Sequence, residues 1–486
     1  MLFNSFNFII FFASSVIIYY ALPHRFRWMF LLAASVVFYM AWNPALIALI
    51  IFSCAFNHFF SRAISINKTR RVKKRILVFV LFVNFGLLFV FKYLGFINET
   101  FMRLFDFIGV AYNIPEFDII LPMGISFYTF QAVGYVIDVY RGELAHEKNF
   151  FKFTLFITFF PQLVAGPIER AGALLPQLFE RHKFKLQNIS DGGKYMLLGF
   201  FRKVVIADRA AVIVNAIYGS PRSYGGLSHI LATLLFTAQI YCDFCGYSEI
   251  ALGCAKMLGV DLMKNFKSPY LSKNIREFWS RWHISLSTWF KDYLYFPLGG
   301  SRVGPARGYF NLLVTFIVSG VWHGANWTFF IWGAVHGAYQ AVGRLTHPAK
   351  KRVLRFLRAE NFFPVRVFQT IACFLLVSLA WVFFRANNVS DAFYIIASMF
   401  RGFEISRAHL FDTLTGLSAG LFDAAALLAM LIILFFIEVF SGETDIHAGL
   451  MRRSFAIRFL FYLLIAAFII AFGVFQNAGQ FIYFQF

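Results

Sequence analysis

Charge is scarce in this chain. Asp, Glu, Lys and Arg make up 14% of its 486 residues, where an average soluble domain holds about 25%. With 59% of residues apolar, that scarcity excludes a soluble globular domain carrying a single anchor. Cysteine is scarce too. The five present (Cys54, Cys242, Cys245, Cys254 and Cys373) all lie in apolar stretches, and an odd, scattered set makes no disulfide framework. Cys242 and Cys245 form one C-x-x-C, but no second pair or nearby His completes a metal set, so they read as packing residues on one helix face. The first residues carry no basic segment before their apolar run and no small-residue cleavage site after it, which reads as an uncleaved first span. Internal repeats, low-complexity tracts and loops long enough for a separate soluble domain are also missing.

What is present is apolar sequence of membrane length, recurring from end to end. The net charge is +21. In a soluble protein that would suggest nucleic acid, but here the basic residues fall in short loops between apolar runs, the positive-inside pattern of a multi-pass membrane protein. The strongest inner-side marker is 61–75, with seven basic residues and no acid. Before it, 28–42 and 44–60 read as two short runs joined at Asn43-Pro44, each reaching only about 22–25 Å and suited to a locally thinned membrane. Residues 76–97 cross outward into an acidic loop. Runs 119–137 and 151–165 are broken by Pro and Gly. Arg202, Lys203, Asp208 and Arg209, then Asp243, Glu249 and Lys256, sit inside apolar sequence, so they must pair or face water. Toward the C-terminus, 344–358 and Arg452, Arg453 and Arg458 mark the inner side, and the balanced 385–419 an outer loop. Counting from both ends places both termini outside, with about 11 crossings in an all-α polytopic integral membrane protein. It reads as one membrane-embedded domain, with N-terminal helices in 1–165, a core in 166–343 and C-terminal helices in 344–486.

The residues that point to chemistry lie in 276–336. Phe278, Trp282, Leu286, Trp289 and Tyr293 recur at three- and four-residue steps, with Arg276, Ser280, His283, Ser287 and Lys291 on the other face. This predicts one amphipathic interfacial helix with His283 on its polar side. Loop 295–308, with Arg302 and Arg307, belongs to the inner side, as does Arg344. The 35 residues of 309–343 therefore begin and end inside, too few for two full crossings. They predict a hairpin broken at 324–326, with His323 at its tip within the hydrocarbon slab. A buried imidazole stays neutral and can take a proton, as a general base must. His336, in an intact apolar run, reads as structural.

Several stretches together resemble one family. They are E-F-W-S-R-W-H-I-S-L-S-T-W-F-K-D-Y-L-Y-F-P-L-G-G (277–300), G-V-W-H-G (320–324), P-Q-L-V-A-G-P-I-E-R (161–170), Q-I-Y-C-D-F-C-G-Y-S-E-I-A-L-G (239–253), N-F-K-S-P-Y (265–270) and F-I-Y-F-Q-F (481–486). The chain resembles the membrane-bound O-acyltransferases, closest to the bacterial branch of alginate O-acetylation and D-alanyl export. At 242, 245 and 249 it carries Cys, Cys and Glu where that pattern has an aromatic residue, Ser and Asp.

The resemblance implies a ring of helices with re-entrant or interfacial segments around a central tunnel. It implies that His323 is the catalytic histidine and His283 a second one in the tunnel. The donor is a cytoplasmic acyl thioester, acetyl-CoA for this branch, and no metal or other cofactor is needed. The acyl group reaches an extracytoplasmic polysaccharide such as alginate with the help of a periplasmic partner, from the bacterial inner membrane. Asn326 and Trp322 are candidate orienting or oxyanion groups; Arg276, Arg281, Lys291 and Arg302 are candidate donor contacts. Peptidoglycan O-acetylation and D-alanyl transfer to teichoic acid are alternatives by the same chemistry. A transporter or flippase, or a non-catalytic export scaffold, are alternatives of other classes.

Overall fold

A computed structural model describes every residue except 2, 113, 116, 118, 165, 361, 402–419, 443–448, 451, 476–480 and 483–486. The described residues form helices and no strand. Among the described residues, six helices are long and apolar enough to cross a membrane: Pro44–Ile66, Arg70–Phe107, Gly226–Met257, Phe363–Arg385, Phe422–Phe440 and Phe455–Phe472. Phe6–Ala21 is a shorter apolar helix. Of the outer loop expected at 385–419, Val389–Ser398 forms a helix and 402–419 lie outside the described residues, as do 483–486 of the ending.

The chain divides into two units, Met1–Gly193 with Ala251–Met263, and Lys194–Ile250 with Lys264–Phe486. In the first, Asn43 breaks the chain as expected and its side chain caps the next turn, accepting from Ala45 N–H at 3.0 Å. The short-arm expectation fails at the next helix. It runs on through Ser61 and Arg62 to Ile66, so Pro44–Ile66 spans about 34 Å at helical rise and a thinned membrane is not required. The following helix starts inside the basic segment, at Arg70, and passes through a π-helical turn (Phe89–Tyr93) to Phe107. Asn57 and Asn84 join these two helices by reciprocal side-chain hydrogen bonds of 3.0 Å. Two buried amides satisfying each other is the economical way to place them in apolar surroundings.

In the second unit, a π-helical turn, Phe201–Ala207, sets the buried charges in place. Arg202 pairs with Glu249 and, at 2.8 Å, with Glu438. Lys203 meets Asp208 and Asp243, both at 2.7 Å, and Arg209 pairs with Asp423. In the first unit, Lys256 pairs with Asp261 at 2.7 Å, so each of the embedded charges has a partner. Glu438 and Asp423 come from a helix more than 200 residues along the chain, which local patterning could not supply. Two glycines allow the approach: a Cβ on Gly199 would lie 2.6 Å from the Gly246 carbonyl, and one on Gly246 would lie 2.7 Å from the Gly199 carbonyl.

The 305–356 region is the expected hairpin, formed by Pro305–His323 and Trp327–Phe356. The arms pack tightly, since a Cβ on Gly320 would meet the Phe329 carbonyl and one on Gly333 the Phe316 carbonyl. They are longer than the apolar count implied. The basic flanks stay helical, giving 19 and 30 residues, or about 28 and 45 Å.

Candidate active site

The amphipathic helix expected over 276–294 is two helices, Ile275–Arg281 and Ile284–Phe290, followed by a π-helical turn. The break falls on His283, whose φ of 43° is left-handed, a conformation costing a non-glycine residue about 1–3 kcal/mol. Asn265 of the N-F-K-S-P-Y stretch holds it open. The Asn265 carbonyl accepts from Ile284 N–H at 3.0 Å, and its side-chain oxygen accepts from Ser285 N–H at 3.3 Å. An asparagine from outside the segment thus caps the second helix. The kink turns His283 off the polar face and into the core, where it is fully buried. That corrects the exposed polar-face placement. Helical periodicity assumed one unbroken phase and could not register a left-handed residue. Of the expected apolar face, Phe278, Trp282, Leu286 and Trp289 are buried and Tyr293 is half-buried.

His323 ends the first hairpin arm and is 3% exposed. Its ring lies 5.0 Å from Trp322, 5.1 Å from Trp332, 5.4 Å from Phe384 and 6.3 Å from His283, centroid to centroid. Trp322 also faces His283 at 6.2 Å. On its other side His283 meets the edge of Phe244 at 4.6 Å. Two histidines 40 residues apart in sequence therefore share one buried aromatic chamber. His336 accepts at Nδ1 from Trp279 Nε1–H at 3.2 Å.

Asn326 caps the second arm. Its side-chain oxygen accepts from Thr328 N–H at 3.0 Å, and its amide donates to the Asn387 carbonyl at 3.1 Å. Both ends of that amide are engaged in shaping the tip.

A cavity of about 640 Å³ opens between the kinked helices and the hairpin. Leu286, Phe290, Leu312 and Phe316 are among the side chains that line it, and Arg276, Lys291 and Arg344 contribute three cations. Trp279 forms part of the wall and packs 5.7 Å from Trp332, itself against His323. Of the four expected donor contacts, Arg276 and Lys291 line this space. Arg281 instead pairs with Glu277 at 2.7 Å, and exposed Arg302 sits in the turn before the hairpin. Arg344 was read only as an inner-side marker. It stays on the helical second arm and lines the same cavity as Arg276. Phe244, Trp332 and Phe384 were also missed as walls, since long-range packing and not local pattern brings them to the histidines.

The arrangement defines a multi-pass helical membrane protein with a buried two-histidine chamber beside a cation-lined cavity. The family model for MBOAT, the membrane-bound O-acyltransferase family, matches residues 141–384, and the chain belongs to that family. It is 39% identical over 384 residues to the protein named "Probable alginate O-acetylase AlgI" of Azotobacter vinelandii, covering 79% of this chain and 74% of that one. It is 34% identical to the peptidoglycan O-acetyltransferase of Helicobacter pylori, covering 80% and 77%. With the teichoic acid D-alanyltransferase of Streptococcus thermophilus it shares 31% over 44% of this chain and 55% of the relative. The protein is thus an acyltransferase, and the transporter and scaffold readings are set aside.

Proposed function

We propose that the chain takes an acetyl group from acetyl-CoA on the inner side of the bacterial inner membrane and passes it outward for O-acetylation of an acidic exopolysaccharide of the alginate type, with a periplasmic partner completing the transfer. The observation that carries this reading is the shared chamber of His323 and His283 beside a cavity with a cationic lining. His323 accepts the proton of the acceptor hydroxyl as its oxygen attacks the thioester carbonyl, then returns it to the departing thiolate. His283 and Trp322 shape the chamber around the reacting carbonyl. Arg276, Lys291 and Arg344 draw the phosphates of the donor to the mouth. A thioester is already activated, so the step calls on a base and oxyanion stabilisation and on no cofactor. Likeness to the alginate relatives favours a uronate polymer. Likeness of similar extent to the Helicobacter pylori relative supports a second reading, peptidoglycan as acceptor.

Acetyl transfer from labelled acetyl-CoA by the purified chain, together with mass spectrometry of envelope glycans from cells with and without it, tests the proposal. Loss of acetyl from a uronate polymer supports the first reading. Loss from muramic acid residues alone supports the second, and unchanged glycans contradict both.

A further inference from the structure

A second group of reactive side chains lies away from the two-histidine chamber. His229, near the start of Gly226–Met257, is fully buried. Its Nε2 lies 3.0 Å from the Pro221 carbonyl. A carbonyl only accepts, so Nε2 carries the hydrogen, and in the neutral ring Nδ1 is the acceptor. Ser398 Oγ stands 2.6 Å from that Nδ1. The same hydroxyl is 2.8 Å from the Ile395 carbonyl, the usual acceptor for a helical serine. One hydroxyl proton cannot serve both, and the shorter contact is the one to imidazole. The Ser398 side chain is only part-buried, at the end of helix Val389–Ser398.

Local packing fixes the pair. A Cβ on Gly226 would run into the Ser398 carbonyl, and Tyr394 sets its ring edge against His229 at 6.0 Å. A chain of contacts also leads back to the hairpin tip. Asn326 donates to the Asn387 carbonyl, and Asn387 donates to the Tyr218 carbonyl at 3.2 Å. Three residues beyond Tyr218 is Pro221, the acceptor for His229.

A serine hydroxyl bonded to an imidazole whose far nitrogen is held by a carbonyl has the parts of an activated nucleophile: the attacking oxygen, its base, and the group that fixes the base's tautomer. We infer that Ser398 is a second acyl-accepting site, taking an acyl group from small activated esters or thioesters with His229 as its base. The Ser398 oxygen adds to the ester carbonyl and its proton passes to His229 Nδ1. The bond from the carbonyl carbon to the leaving oxygen or sulfur breaks, and that proton moves to the leaving group. The products are an acyl-serine ester and a free alcohol or thiol.

The test uses the full chain in detergent, carrying His323→Ala so that the outcome is independent of the proposed active site. The probe is p-nitrophenyl acetate. One acetyl adduct is expected on the peptide containing Ser398, with one equivalent of nitrophenolate released in a burst. Ser398→Ala is expected to abolish both. His229→Gln, which keeps a donor toward Pro221 but has no base, is expected to slow the burst by about a hundredfold. The rate should rise with pH as a single group loses its proton. An absent adduct, an adduct on another residue, or an unchanged burst in His229→Gln overturns the inference. If His229→Gln does not fold, a flat pH profile overturns it and a single ionisation supports it.

Discussion

Two sets of cations in the second unit differ in what faces them. Arg202, Lys203 and Arg209 are buried or nearly so, and each meets one or two carboxylates. Arg276, Lys291 and Arg344 line the cavity with no carboxylate in ion-pair range among the described residues. Two of them lie over aromatic rings instead, Lys291 over Phe296 at 5.5 Å and Arg344 over Tyr309 at 5.2 Å. A charge removed from water needs its counter-charge inside the protein. A charge left beside a cavity with none is available to an anion that arrives from outside. The first set holds the helices together, and the second suits a phosphate-bearing donor.

That comparison can be broken most sharply at Lys203. Lys203→Met strands Asp208 and Asp243 in the interior, and losing one partner of a buried pair costs about 3–5 kcal/mol. The expected result is a protein that melts far lower in detergent or does not survive purification; an unchanged melting temperature would remove the structural role. Arg202→Met should behave similarly, with Asp243→Asn in the Lys203→Met background recovering part of the loss at the other triad only.

The cavity set should respond in the opposite way. Arg276→Gln, Lys291→Gln and Arg344→Gln are expected to leave melting unchanged and to raise KM for the donor, each by up to about 1 kcal/mol, roughly fivefold, with kcat little altered. The effect should shrink as salt rises. A fall in kcat with constant KM would move these residues out of the donor site.

A pH-linked effect is expected at a buried carboxylate of the first unit. Glu169 accepts from Met263 N–H at 2.6 Å and has no cation in ion-pair range among the described residues. Burial pushes its carboxyl up to about 7 from an ordinary value of 4.5. The folded state therefore holds this proton more tightly than the unfolded chain. The linked stability is full below about pH 4.5 and is lost as pH rises to about 7. Thermal melts across that window should show the decline, and Glu169→Gln should flatten it.

How much of this the sequence carried depends on the range of the interaction. The hairpin and its break at 324–326 were legible, because two apolar arms and inner-side charges at both ends leave few other paths. The need for partners at Arg202 and Lys203 was legible from the cost of burying charge, but the identity of Glu438 and Asp423 was not. His283 was legible as a candidate and misplaced in space, since a left-handed residue pinned by Asn265 leaves no mark on an aromatic period. The chamber walls Phe244, Trp332 and Phe384 were not legible, because only the packed helices bring them together.

The central claim is that His323 is the base for acyl transfer. Initial rates of acetyl transfer by His323→Ala, beside the unaltered chain at the same melting temperature, test it most directly. The expected result is a fall in kcat of about 10²–10⁴-fold with donor KM unchanged. Transfer at the full rate would contradict the account.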